Sequence, residues 1–377
     1  MIRFKQLSGG LSRREFAKLT LTTSLLGLVA PSRAAGALNN TATLYETTKL
    51  SATPKKIRQM RFKPSDDFMT WQVQLREQLA RKLVIPEEPY THPLNVQIES
   101  QDETEEYTID RITFTSEPGE VVPGYLLLPK NHKPPYPVMI CLQGHSPGMH
   151  ISIGRAKTER DQRSIDGGRD LALQAVAHGW AALAIEQRGF GERAEEGLAC
   201  RVASMRTLHT HRPMTGSRVL DIMRTIDFIE SQPNLDANKI ASMGNSAGGT
   251  VTFYAACIDP RIRLAVVSCS FGPYANTWLA DPPRCPCGYI PGIYTLADMP
   301  DLAGLIAPRQ LLIVAGKEDH LAPIESVHNG VETAGIVYEA AGTPDHIQLV
   351  VGDGGHQFYP EISWPVIQNI SKSWDSE

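Results

Sequence analysis

Hydrophobic positions change rhythm along this chain, and each rhythm predicts a different element. Residues Phe68 to Leu83 (FMTWQVQLREQLARKL) place apolar side chains at helical intervals, and Pro86 ends the run. An amphipathic helix packed on the main body is expected there. Past the acidic stretch Glu103 to Glu106 come two short alternating segments, TIDRITFTS and VVPGYLLLP, with Glu117-Pro118-Gly119-Glu120 between them. They predict a β-hairpin. Beyond Pro137 continuous apolar runs take over: VMICL (138–142), AALAIE (181–186), KIASMG (239–244), LAVVSC (264–269), QLLIVAG (310–316) and HIQLVVG (346–352). Helical patterns separate several of them, through DLALQAVAHG, through SRVLDIMRTIDFIES and from about Ala247. Strands apolar on both faces with helices between them require an α/β fold, a mostly parallel sheet with helices on both faces. Ligands bind such sheets at the carboxyl ends of the strands, so the loops there are the place to look for chemistry.

The N-terminal residues read as an address. Arg3 and Lys5 are followed by Ser12-Arg13-Arg14-Glu15-Phe16-Ala17-Lys18, then by an apolar run from Leu19 to Ala30 and by small residues ending at Ser32 and Ala34. The run falls short of the ~20 residues that span a bilayer. The paired arginines resemble a twin-arginine export signal. The expected organisation is therefore a signal peptide at 1–34, a linker and amphipathic helix at 35–105, and a catalytic domain at 106–377. The mature chain is expected in the periplasm or secreted, with no membrane association after cleavage.

Composition narrows the partners. The chain has 377 residues, 42% hydrophobic and 21% charged, with a formal net charge of -4. No excess of Lys and Arg favours nucleic acid. Cys141, Cys257 and Cys269 lie in apolar runs and read as core. Cys200, Cys285 and Cys287 lie in loop-like sequence, where one pair is a candidate disulfide, although Cys285 and Cys287 are poorly placed to bridge each other. No C-x-x-C and no Cys/His pattern with zinc spacing is present, so neither metal nor cofactor is expected.

Gly244-Asn245-Ser246-Ala247-Gly248 matches G-x-S-x-G between a strand and a helical stretch. A serine on that sharp turn needs small neighbours and projects its hydroxyl above the sheet. It also needs a base, and the base a carboxylate to hold it. In the chain order Ser, acid, His, Lys317-Glu318-Asp319-His320 follows QLLIVAG and Asp353-Gly354-Gly355-His356 follows HIQLVVG. His356 is the expected base, with His320 the next candidate; Asp319 is the expected acid, with Glu318 and Asp353 as alternatives. The backbone amides of Ala247 and His145 are the expected oxyanion donors. The side chains of His145, His150 and Gln143 either line the pocket or are solvated. Glu192 to Arg212 and Asp281 to Pro291 are expected to form lids, with Arg201, Arg206 and Arg212 read as solvated surface or as a face toward a polar substrate.

The segments CLQGH, EQRGFGER, GNSAGG, CPCGYIPG, LIAPRQLLIVAGKEDHLAPI and DGGHQF resemble the bacterial α/β-hydrolases grouped with acetyl xylan esterases, cephalosporin-C deacetylases and dienelactone hydrolases, from about Thr108 onward. In that group Gly316-x-x-Asp319 with Pro323 beyond is the usual turn carrying the acid. Acetyl xylan esterases show Arg-Gly-Gln-Gly and a Gln after the nucleophile; this chain has Arg188-Gly189-Phe190-Gly191 and Ala247. The resemblance implies the α/β-hydrolase fold with an N-terminal helical lead, and a serine esterase acting on small-molecule or carbohydrate esters, with short or acetyl acyl groups expected. A serine peptidase or amidase of the same fold, and a non-catalytic binding protein on this scaffold, are the alternatives. Oligomeric state stays open.

Overall fold

The computed structural model describes residues 58–87, 91–195, 198–280 and 283–374. The expected signal peptide at 1–34 and the linker up to residue 57 lie outside the described residues. The lead helix forms as expected: α1 (Phe68–Leu83) is capped by Asp67, whose side chain accepts from Thr70 N, and ends where Val84 turns left-handed at φ 58°. Its Trp71, Leu75, Leu79 and Leu83, one helical turn apart, are buried. Gln72 and Arg76 fasten it to the body, donating to the carbonyls of Gly304, Ala307, Cys257 and Leu305.

The strands are β1 (Gln97–Glu103), β2 (Tyr107–Glu117), β3 (Glu120–Pro129), β4 (Tyr136–Leu142), β5 (Ala181–Ile185), β6 (Leu235–Asn245), β7 (Ile262–Ser268), β8 (Gln310–Gly316) and β9 (Ile347–Gly352). They form one sheet in the order β1-β2-β3-β5-β4-β6-β7-β8-β9. The β1-β2, β2-β3 and β3-β5 pairs are antiparallel; the remaining pairs are parallel. The hairpin β2-β3 is the one expected. β1 extends the sheet into the segment assigned above to the N-terminal lead, so the sheet begins at Gln97 rather than after 105.

Alternation along each strand divides the interior into two cores. Val138, Ile140 and Leu142 of β4 pack on one face with α1, α4 (Met214–Glu230), α5 (Ala247–Ile258) and α6 (Ile324–Ala340). Met139 and Cys141 pack on the other with α2 (Leu171–Ala177) and α7 (Pro360–Ser373). Between α2 and α4 lies α3 (Cys200–His209), so Cys200 opens a helix rather than sitting in a loop.

Candidate active site

Ser246 stands between β6 and α5 with φ 59° and ψ -118°, a conformation costly for a residue with a side chain. Its neighbours permit the turn. A Cβ on Gly248 would lie 2.0 Å from the Leu142 carbonyl oxygen, and one on Gly244 would lie 2.3 Å from the carbonyl carbon of Gly248. The Ser246 amide donates to the Ser268 carbonyl at 2.8 Å. Asn245 is held from the same strand, its Oδ1 accepting from Ser268 Oγ at 2.9 Å.

The loops after β8 and β9 are zipped together beyond the strands. Lys317 N donates to Gly352 O at 2.9 Å and Glu318 N to Gly354 O at 3.0 Å. This brings Asp319 Oδ2 to 2.8 Å from His356 Nδ1. Asp319 Oδ1 accepts from the amides of Leu321 (2.9 Å) and Ala322 (3.3 Å). Burial by itself would raise the Asp319 pKa, but His356, the Leu321 amide and Cys269 outweigh it and hold the carboxyl below its ordinary value. Asp319 is thus an anion that fixes the imidazole. His356 Nε2 is buried and has no hydrogen-bond partner among the described residues. Of the alternatives, Asp353 is exposed and pairs with Lys317, and Glu318 and His320 are exposed.

Ser246, Ala247, His145, Cys269, Ser270, Arg284 and Leu321 line one cavity of about 240 Å³. Cys269, at the end of β7, joins this cavity to the Asp319-His356 pair. Its Sγ, a carboxylate oxygen of Asp319 and a ring nitrogen of His356 lie within 4.8 Å of one another. The His356 loop thereby reaches back from β9 to the end of β7, one strand from Ser246. Arg169 contributes by donating to the His356 carbonyl. The amides of Ala247 and His145 both belong to residues of the cavity wall, and Gly144 lets the β4 loop approach, since a Cβ there would be 3.2 Å from Ser246 Cβ.

Other expected residues are placed differently. Of the three side chains after β4, His145 lines the cavity, whereas Gln143 and His150 are buried away from it. Gln143 donates to Glu186 at 2.6 Å, and His150 Nε2 lies 3.3 Å from Asp161. Glu186 was not singled out from sequence. It is 1% exposed and also accepts from the amides of Met149 and Glu192, tying the loops after β4 and β5. Its burial pushes the carboxyl up to about 7. Arg201 and Arg206 are exposed, but Arg212 is not free surface: it holds both oxygens of Glu117, at 2.8 and 2.7 Å. Arg188 pairs with Glu117 (2.6 Å) and Asp221 (2.8 Å), locking the hairpin to α4. Cys200, remote in sequence from Cys285 and Cys287, converges with them beside His145, and all three are thiols.

Residues 29–271, more than half of the chain, match the Abhydrolase_7 profile. YtaP of Bacillus subtilis (strain 168), provisionally named a hydrolase, is 26% identical over 289 residues, 74% of this chain and 92% of its own length. The 4-O-methyl-glucuronoyl methylesterase 1 of Wolfiporia cocos (strain MD-104) is 28% identical over 170 residues, 38% of this chain and 41% of its own. A provisionally named acetyl xylan esterase from Bacteroides fragilis NCTC 9343 superposes with a TM-score of 0.70 at 17% identity, over 85% of this chain and 93% of that one. The sheet order, the strand-to-helix turn at Ser246 and the profile agree: the chain belongs to the abhydrolase family Abhydrolase_7, an α/β-hydrolase group whose fold is that of the acetyl xylan esterases.

Proposed function

We propose that this chain is a carboxylic ester hydrolase that works through an acyl-enzyme on Ser246. The observation that carries the reading is the pair Asp319-His356 at 2.8 Å, with His356 Nε2 buried and unpartnered beside the cavity that Ser246 lines. Ser246 Oγ attacks the ester carbonyl while His356 Nε2 takes its proton. The same nitrogen returns that proton to the departing alkoxide, and water, deprotonated by His356, then releases the acid. Asp319 stabilises the imidazolium formed in both halves. The amides of Ala247 and His145 receive the charge that develops on the carbonyl oxygen.

A cavity of about 240 Å³ suits a short acyl group. Support for an ester, and for a carbohydrate ester in particular, comes from the relative named as a glucuronoyl methylesterase. The test is covalent labelling with a fluorophosphonate probe beside hydrolysis of aryl esters of increasing chain length and of a peptide anilide. Wild type should label, show a burst with short esters and spare the anilide. Ser246→Ala should neither label nor burst. A folded wild type that neither labels nor hydrolyses any ester would overturn the reading. We place the working enzyme outside the cytoplasm on the strength of Arg13-Arg14 and the apolar run behind them. The Arg13→Lys/Arg14→Lys double variant should then stay cytoplasmic and uncleaved, and normal periplasmic yield would refute the twin-arginine assignment.

A further inference from the structure

Three segments distant in sequence meet at one point on the rim of the cavity. His145 comes from the loop after β4, Cys200 from the first turn of α3, and Cys285 and Cys287 from the loop between β7 and β8. His145 Nε2 lies 3.2 Å from Cys287 Sγ, and the Sγ atoms of Cys200 and Cys285 are 3.9 Å apart. All four ligand atoms fall within 4.8 Å of one another. We propose that His145, Cys200, Cys285 and Cys287 form a structural zinc site that fastens the walls of the cavity to one another.

The geometry fits the ion. With Zn–S of about 2.3 Å and Zn–N of about 2.0 Å, a tetrahedron has S···S edges of roughly 3.8 Å and S···N edges of roughly 3.5 Å. The two distances above lie near those edges. A disulfide fits less well, because its sulfurs must approach to about 2.05 Å. The donor set is soft, as zinc prefers. Without an ion, three thiols and an imidazole facing one another share only weak hydrogen bonds through sulfur.

The charge is matched as well. Three thiolates and one Zn²⁺ leave a net charge of -1, and the guanidinium of Arg218 lies 3.6 Å from Cys200 Sγ. Arg218 is itself fixed by two hydrogen bonds to the Arg188 carbonyl. Binding releases the three thiol protons to solvent and needs no oxidant. The twin-arginine route expected for this chain delivers folded protein, so the thiolates meet zinc in the reducing cytoplasm before any oxidising compartment.

Four protein ligands close the coordination sphere, so the ion shapes rather than activates water. His145 and Cys285 also line the cavity with Ser246, and the metal would hold both walls at fixed separation. Where the esterase reading holds, it also fixes the loop bearing the His145 amide; zinc binding itself does not depend on that reading.

The test is metal analysis of the full chain, purified without a polyhistidine tag or chelators. Wild type should carry about one zinc per chain, and Cys200→Ser and Cys287→Ser should each retain only a small fraction of it. Because a variant that fails to fold also loses metal, wild type is also grown with cobalt in place of zinc and should show the intense ligand-field bands of a tetrahedral thiolate site. Folded wild type lacking both zinc and those bands would overturn the proposal. So would zinc that survives both substitutions, or a Cys200-Cys285 disulfide in the mass of the unreduced protein. Fluorophosphonate labelling of the same samples reports separately on Ser246.

Discussion

Glu186→Gln isolates the energetics of the buried carboxyl that ties the loop carrying Gln143, Gly144 and His145 to the loop after β5. Burial, opposed by hydrogen bonds from the Met149 and Glu192 amides, raises its pKa from an ordinary 4.5 to about 7. Each tenfold preference for the protonated form is worth about 1.4 kcal/mol, so complete ionisation costs the fold roughly 3 kcal/mol. The sign follows from the upward shift. Stability from this group is fully present below pH 4.5 and is lost as pH rises through about 7. Between pH 5 and pH 8 the loss is roughly 2 to 3 kcal/mol. Glutamine keeps the shape and cannot ionise, and the Gln143 amide can turn to meet it. Urea unfolding of both proteins at the two pH values is the assay, since every other titrating group is common to them. The variant should gain about 2 to 3 kcal/mol on wild type from pH 5 to pH 8. A difference in stability that does not change with pH would refute the claim that Glu186 is held against its charge.

Asp319→Asn removes the anion at His356 Nδ1 while leaving volume unchanged. It should lower kcat by about 10³ to 10⁴ in steady-state ester hydrolysis with little change in KM. Leu79→Ala empties a fully buried position on α1 and should destabilise the protein by about 2 to 5 kcal/mol in urea unfolding. A change under about 1 kcal/mol would mean that α1 lies outside the cooperative unit.

The parallel core was legible because its strands are apolar on both faces, so QLLIVAG and HIQLVVG declare themselves without reference to a partner. β1 (QIESQDE) was not, being a polar edge strand whose only signal is its pairing with β2. The inner face of α6 carries Val327, Ala334, Val337 and Tyr338 at helical intervals, interrupted by the buried Ser326 and Gly330. Ser246 was readable from the steric demand for glycine around it, and Asp319 and His356 from their places after successive strands. Glu186 and the thiol cluster carry no local signature. Gln143 and Glu186 are 43 residues apart, Cys200 and Cys285 are 85 apart, and His145 and Cys287 are 142 apart. Only the folded sheet edge makes them neighbours, as it does Arg212 and Glu117, a pairing contained in neither reading of Arg212, as solvated surface or as a face toward a polar substrate.

Among the described residues β9 pairs with β8 alone, and its side chains from Ile347 to Val351 are only half-buried. β6 lies between β4 and β7 and is buried from Ile240 to Asn245. A strand with one neighbour opens at lower free energy than one held on both sides. The imidazole therefore follows an edge strand and the serine an interior one. Where the esterase reading holds, warming should therefore fray this rim first and move His356 away from a serine that is still seated, so that activity should fade reversibly before the interior melts.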